Sequence, residues 1–314
     1  MGFFGRKRAP SVPHPRKEPR FDGPLTLERL EQIFQDCVDF TKRPVSLGEG
    51  GACTLTLCYL SGMVKMERVS DYVLRPLAQD EALARCGTPR QAMDRMKDGA
   101  LYNLSAEERT RLDAAVFDLV NGCCLLLFPW ESSVLSLNVG TEEKRSISSP
   151  SNETVLKGSR DAFVESLRTN TSIVRRHLKA PELRIREQVV GRQSVTSVDI
   201  LYIEGLTNPH LVEQVAAQLA DIDIDAVLTT GNIEEYIVPA ARTAFPLVQY
   251  TERSDRFCAG LAEGRVGILI DGLPLGYLAP GVLGDFLQAP QDKSESWLLA
   301  SALTLLRYLC MLGT

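Results

Sequence analysis

Residues 260–280 read GLAEGRVGILIDGLPLGYLAP, an apolar stretch broken by glycine and proline with Asp271 at a turn. A phosphate-cradling glycine loop would need a strand, then glycines, then a helix whose free N–H groups face the phosphate. Here the order is reversed. Residues 256–263 have helical spacing and stop at Gly264, and Val266–Ile270 then reads as a buried strand. Asp271-Gly272 becomes a hairpin turn leading into a second strand at 275–278. The expectation is that this hairpin closes a sheet edge and holds no substrate.

The stretch has a counterpart upstream. LDAAVFDLVNGCCLLLFPWESSVLSL (112–137) also runs helix, glycine, apolar strand, turn, strand. A second pair precedes each: LTLCYLSGMVKMERVSDYVLRPL (55–77) and VDILYIEGLTNPHLVEQVAAQL (198–219) are both a strand ending at glycine and then an amphipathic helix. Gly62 and Gly122 are 60 positions apart and Gly205 and Gly264 are 59 apart, which implies a duplicated α/β unit in register. In the second copy, 184–190 and 195–203 read as strands and Pro209–Ala220 as a helix with Asn208 as N-cap. A short strand at 226–228, a helix at 233–238 and a strand at 247–250 follow. Strands separated by helices call for crossovers, so the expected fold is two tandem, similar α/β subdomains with mixed, mainly parallel sheets, joined by a helical connector. The expected division is a basic tail at 1–24, subdomains at 25–150 and 183–290, a connector at 151–182 and a terminal helix at 291–314.

Composition narrows the function. A chain of 314 residues with 44% hydrophobic content is long enough for about two cores. Its net charge of −5 argues against a nucleic-acid partner, which would want a basic face. The first 20 residues are an exception: Arg6, Lys7, Arg8, Arg16, Lys17 and Arg20 stand against Glu18 alone, in a proline-rich context that suits a solvated tail or an anionic membrane surface. The eight cysteines include no CxxC pair, and the three histidines, His14, His177 and His210, lack metal spacing, so no metal or other cofactor is expected. No nucleophile elbow, Walker loop or HExxH is present, which leaves no candidate catalytic residue. Asp221, Asp223 and Asp225 in DIDIDAVL read as a polar turn and an outward strand face, since no liganding Glu or His follows.

Two charged stretches remain as candidate interfaces. In the connector, Phe163, Val164, Leu167, Ile173, Val174 and Leu178 recur at helical spacing, while Arg160, Asp161, Glu165, Arg168, Arg175 and Arg176 cover the other faces, next to Asn170. These charges either face solvent or bind a partner or the neighbouring unit. In QYTERSD, Glu252, Arg253 and Asp255 lie at the carboxyl end of a strand, where open α/β sheets place ligands, although Ser254 also suits a helix N-cap.

KGSRDAFVESLRTNTSIVRRHL, DILYIEGLTNPHLVEQV, GNIEEYI, FPLVQYTERSD and LAEGRVGILIDGLPLGYLAP, followed by LLRYL, together resemble the A subunit of the GerA family of spore germination receptors. The resemblance is close over 145–310 and looser over 25–145. Ser254 and Ser159 stand where the family usually has proline, and Leu247 where it has glutamine. The resemblance implies a non-enzymatic role in the cytosolic region of an A subunit at the spore inner membrane. Beside it would stand a B-type transporter-like subunit and a C-type lipoprotein, with homo-oligomers expected, and the complex would link nutrients to ion release. A SpoVAF-type channel partner and a soluble small-ligand sensor or enzyme with its site between the units are the alternatives. The family continues into membrane helices, whereas the last residues here, SWLLASALTLLRYLCMLGT, carry Arg307 inside the apolar run, against the roughly 20 uncharged residues that a span needs. They read as a juxtamembrane helix, with Trp297 and Tyr308 at the interface and Arg307 reaching lipid phosphate, or as a helix packed on the second unit.

Overall fold

The computed structural model describes residues 21–47, 54–101, 106–129, 131–140, 161–225, 247–281 and 297–312. In the first subdomain, α1 (Leu27–Ile33), capped by Thr26, leads into β1 (Phe40–Ser46) and β2 (Thr54–Leu60). Next come α2 (Met66–Val69), a π turn, α3 (Arg75–Gln79), α4 (Glu81–Ala84), α5 (Pro89–Arg95) and β3 (Ala106–Arg109). The unit ends with α6 (Leu112–Val120), β4 (Cys123–Leu127) and β5 (Val134–Asn138). The second subdomain repeats this plan with α7 (Leu167–His177), β6 (Leu183–Val190), β7 (Thr196–Ile203), α8 (Pro209–Ala220), β8 (Gln249–Thr251), α9 (Ser254–Ala262), β9 (Val266–Ile270) and β10 (Gly276–Ala279). Helix α10 (Trp297–Leu312) follows.

The two sheets have one topology. Their orders are β1-β2-β4-β5-β3 and β6-β7-β9-β10-β8, so each strand has a counterpart in the other half. Pairing the turn glycines gives the same result: a side chain on Gly122 would meet the Met63 carbonyl, and one on Gly264 the Leu206 carbonyl, each just after the matching strand-end glycine. The strand expected at 226–228 and the helix at 233–238 lie outside the described residues.

The sheets are not mainly parallel. Every strand pairing is antiparallel. The hairpin strand β10 is also not at an edge but between β9 and β8, as β5 is between β4 and β3. This insertion explains the discrepancy. β8 and β9, joined by α9, do run the same way, as a crossover demands. The chain then folds straight back and places β10 in the gap, so among the described residues no two parallel strands pair within a sheet. Continuous apolar runs such as CCLLL and VGILI suggest a parallel sheet because both faces are buried. Here helices cover both faces of an antiparallel sheet. Leu125 and Leu127 pack against α1 and α6, while Cys124 and Leu126 join Val69, Leu77 and Met93 on the other side. In the second unit Leu269 faces α7 and α9, and Val266, Ile268 and Ile270 face α8.

The glycines of the opening stretch serve this packing. A Cβ on Gly267 would lie 2.3 Å from Phe257 Cζ, and one on Gly276 2.6 Å from Phe257 and 2.8 Å from Phe163. The two rings meet edge to face at 5.2 Å over this glycine floor. Asp271 has a separate task. Its Oδ1 accepts the Leu167 N–H at 3.1 Å, so the hairpin turn caps the first turn of α7 with a negative charge.

The segment expected as a connector is built into the second unit. Residues 161–166 are irregular, and α7 starts at Leu167 with Ser166 as its N-cap. Phe163, Leu167 and Val174 share a core with Phe257, Leu261 and Leu278, so α7 occupies in the second unit the place of α1 in the first. Gly62 lies against it from the first unit: a Cβ there would be 2.0 Å from Ser172 Oγ, whereas one on Gly205 meets nothing within 4 Å. Both glycines have left-handed φ, +80° and +79°. Gly205→Ala therefore carries only the backbone cost, about 1 kcal/mol, and Gly62→Ala adds overpacking for a total of about 3 kcal/mol. Urea unfolding of the two variants measures the difference, and equal losses would show that the contact with α7 contributes nothing.

Candidate functional site

The described residues place their densest buried polar network where the two subdomains meet. α7 is an amphipathic helix whose inner face includes Asn170, Thr171, Ser172 and Arg175, all buried. The Arg175 side chain is 1% exposed and makes a two-pronged contact with Asp39 of the first unit, Nε to Oδ2 at 2.8 Å and Nη2 to Oδ1 at 3.0 Å. Two further N–H groups donate to the Ala180 carbonyl at 3.3 Å and to Cys37 Sγ at 3.4 Å. Burial works against the guanidinium charge, but the Asp39 carboxylate outweighs it and holds Arg175 protonated. Burial likewise pushes the Cys37 thiol up, against the pull of Arg175, so it stays a neutral thiol.

Backbone pairing runs beside this contact. Val38 N–H donates to the Ile185 carbonyl at 2.9 Å and Ile185 N–H to the Asp36 carbonyl at 3.0 Å, an isolated parallel bridge between Cys37 of the first unit and Ile185 on β6. Arg184, also buried, donates to the Ile33 and Pro181 carbonyls at 2.7 and 3.0 Å and pairs with Glu204. Arg186 bridges Asp36 and Glu213 at 2.9 and 2.7 Å. Three arginines of one unit thus hold the 33–39 segment of the other.

The expected site residues are distributed as follows. Arg160 lies outside the described residues. Glu165 is exposed on its side chain while its carbonyl accepts the Gly272 N–H. Asn170 closes the loop before α7: its amide accepts from Val164 N–H and donates to Val164 C=O. Arg168 reaches Glu187 at 2.7 Å and the buried Asp199 at 3.4 Å. Arg253 and Asp255 form a forked pair, and although burial raises the Asp255 pKa, the guanidinium outweighs it and the carboxyl ends below its usual range. The Glu252 carbonyl takes the Phe163 N–H. These two groups therefore meet, but mainly to fasten 161–164 to the start of α9. Trp297 opens α10, on which Leu305, Leu306 and Leu309 are exposed and Arg307 and Tyr308 half-buried. Among the described residues no helix is long and apolar enough to cross a membrane. Sequence reasoning passed over Asp39 and Asp199, although each is a lone carboxylate in an apolar run, CVDF and SVDILYI.

One arrangement resembles hydrolase machinery. Ser254 Oγ lies 3.2 Å from His177 Nε2 and Asp161 Oδ2 lies 3.5 Å from the same nitrogen. A relay needs the acid on the other ring nitrogen, and Ser254 is fully buried with its Oγ also on the Asp161 carbonyl, so the contact is structural. Burial pushes the thiols of Cys58 and Cys258 up to about 12, which removes them as nucleophiles. A cleft of about 860 Å³ opens between α6 and the end of α7, lined by Arg109, Phe117, Asp118, Arg176, Leu178 and Lys179.

A family model described as Bacillus/Clostridium GerA spore germination protein matches residues 28–314. The chain is 32% identical over 283 residues to the uncharacterized membrane protein YfkQ of Bacillus subtilis, covering 90% of this chain and 54% of that protein. It is 31% identical over 271 residues to spore germination protein KA of the same organism, covering 86% and 49%. The chain therefore spans about half the length of the curated relatives it matches. Among solved structures it is similar to the N-terminal domain of the A subunit of the Bacillus megaterium spore germinant receptor GerK3, with a TM-score of 0.64 and 27% identity over 82% of this chain and 94% of that one.

The junction can be tested by stability. Arg175→Met leaves Asp39 as a buried unpaired charge and should cost about 3–5 kcal/mol in urea unfolding, whereas adding Asp39→Leu should recover most of the loss. A double variant as unstable as the single one would mean that packing, and not the uncompensated charge, sets the cost.

Proposed function

The chain belongs to the GerA family of Bacillus and Clostridium spore germination proteins, and from that membership we propose that it forms the cytosolic region of a germinant receptor A subunit at the spore inner membrane. Its role there is receptor assembly, beside a B-type transporter-like subunit and a C-type lipoprotein, and passage of the nutrient signal towards ion release. The supporting observation is the single helix α7, capped by Asp271 of its own unit at one end and clamped to Asp39 of the other unit near its far end. A helix fastened at both ends gives two subdomains a common rigid element, and a displacement at one unit is passed to the other. A second reading is supported by the cleft of about 860 Å³, a size that suits a small ligand held between the units.

Assembly is tested where the fold is not at stake. Arg168 is tied to Asp199 and Glu187, so reversing its charge would disturb folding; Glu165, exposed on its side chain, offers the cleaner variant. In spores carrying the full-length protein, Glu165→Lys should lower recovery of the B- and C-type subunits while the melting temperature of residues 1–314 stays within about 1 °C, as expected for a surface change. Full recovery of both subunits would remove this face from the interface.

The membrane link is tested by flotation. Residues 1–314 should bind anionic liposomes, and truncation at Lys293 should weaken binding more than deletion of the basic tail, because α10 exposes Leu305, Leu306 and Leu309. Unchanged binding after truncation would assign that helix to protein packing.

A further inference from the structure

Among the described residues Asp199 is the most deeply placed acid of the second unit. It sits on β7 with its side chain fully buried, opposite Glu187 on β6 and Leu269 on β9. Its two oxygens are in different situations. Oδ2 lies 2.9 Å from Thr171 Oγ1 and 3.4 Å from Arg168 Nη1, whereas Oδ1 has no hydrogen-bond partner among the described residues. A buried carboxylate with one bare oxygen is far costlier than a neutral acid with one bare carbonyl.

The hydroxyl count points the same way. Thr171 Oγ1 stands within bonding distance of both Asp199 Oδ2 and the Leu167 carbonyl, at 2.9 and 3.0 Å, yet it has a single proton. With Asp199 ionised, that proton can serve only one of the two acceptors. With Asp199 protonated on Oδ2, both contacts are satisfied: Asp199 donates to Thr171, and Thr171 donates to Leu167. Protonation strands no cation, because Arg168 keeps its 2.7 Å contact with Glu187.

We propose that Asp199 is a proton-operated latch on α7: as a neutral acid it closes the chain Asp199–Thr171–Leu167, and as a carboxylate it opens that chain and falls back on Arg168. The charged groups facing it are Arg168 from α7, Glu187 from β6 and Asp39 from the segment before β1. Burial is the main influence on its pKa and raises it to about 6, against the pull of Arg168 and the Thr171 hydroxyl and with the push of Glu187 and Asp39. In the folded chain the latch therefore titrates at about 6, above the ordinary value of 3.8. Thr171 is one turn before Arg175 on the same helix, so the proton is bound next to the clamp that joins the subdomains. This inference concerns the chain itself and does not depend on the receptor role.

The sign follows from linkage. A carboxyl whose pKa is raised on folding contributes stability that is complete below its unfolded value and is lost as pH rises through its folded one. The melting temperature of residues 1–314, minus that of Asp199→Asn, should therefore fall between pH 4 and pH 7 and level off above. A flat difference across this window would overturn the proposal. Carboxyl carbon NMR of the unaltered chain supplies an arm that needs no variant: a midpoint near pH 6 supports the latch and one below about 4.5, in the ordinary carboxylate range, refutes it. Amide-exchange protection over 171–175 should follow the same titration and lose its pH dependence in Thr171→Val. Protection that keeps the unaltered dependence in that variant would show that Thr171 does not carry the signal.

Discussion

Arg175 and Asp39 lie 136 positions apart, in different units, and neither side chain is more than 2% exposed. Two charges are not brought into a low-dielectric interior for stability alone, since an apolar pair of similar volume would often do as well. What a forked guanidinium–carboxylate contact supplies is geometry: two parallel bonds fix the angle as well as the distance between α7 and the segment before β1. Everything else at the junction fits that angle. The Cys37–Ile185 bridge, the Arg184 bonds to the Ile33 and Pro181 carbonyls and the close approach of Gly62 to Ser172 would all be lost if α7 were rotated on the first unit.

The junction arises because the duplication is unequal. In the first unit α1 has seven residues; in the second, α7 has eleven. The added turn carries Arg175 beyond the core shared with α9 and into the first unit. One copy thus contributes the cation and the other the anion, from equivalent regions near the first helix of each repeat.

How far the sequence reveals this depends on the range of each interaction. Pro209–Ala220 and Val266–Ile270 are read correctly to the residue, because a cap, a proline and an apolar run are local signals. The repeat is legible because the glycine spacing survives in one dimension. Strand direction is not, since an apolar strand buried on both faces looks alike whichever way its neighbours run, and the insertion of β10 between β9 and β8 leaves no local mark. The charges of α7 present the same difficulty in another form. Helical periodicity assigns Arg175 to the polar face, which is correct, but it cannot say that this face is covered by Asp39 from a distant part of the chain. Asp199 is passed over for the opposite reason: one acid in SVDILYI looks like an outward position of an alternating strand, whereas it points at Thr171.

α7 therefore joins three constraints along eleven residues. Its first turn is fixed by Asp271 and Ser166, its second by Asp199 through Thr171, and its third by Asp39 through Arg175. The first rests on a carboxylate at a helix terminus, a modest contribution, and the third on a forked buried pair, the strongest of the three. The middle one is the weakest, with a bare oxygen and a hydroxyl that cannot serve two acceptors at once. In the latch proposed above a bound proton acts at this middle contact, where it completes the Asp199–Thr171–Leu167 chain one turn before the Arg175 clamp.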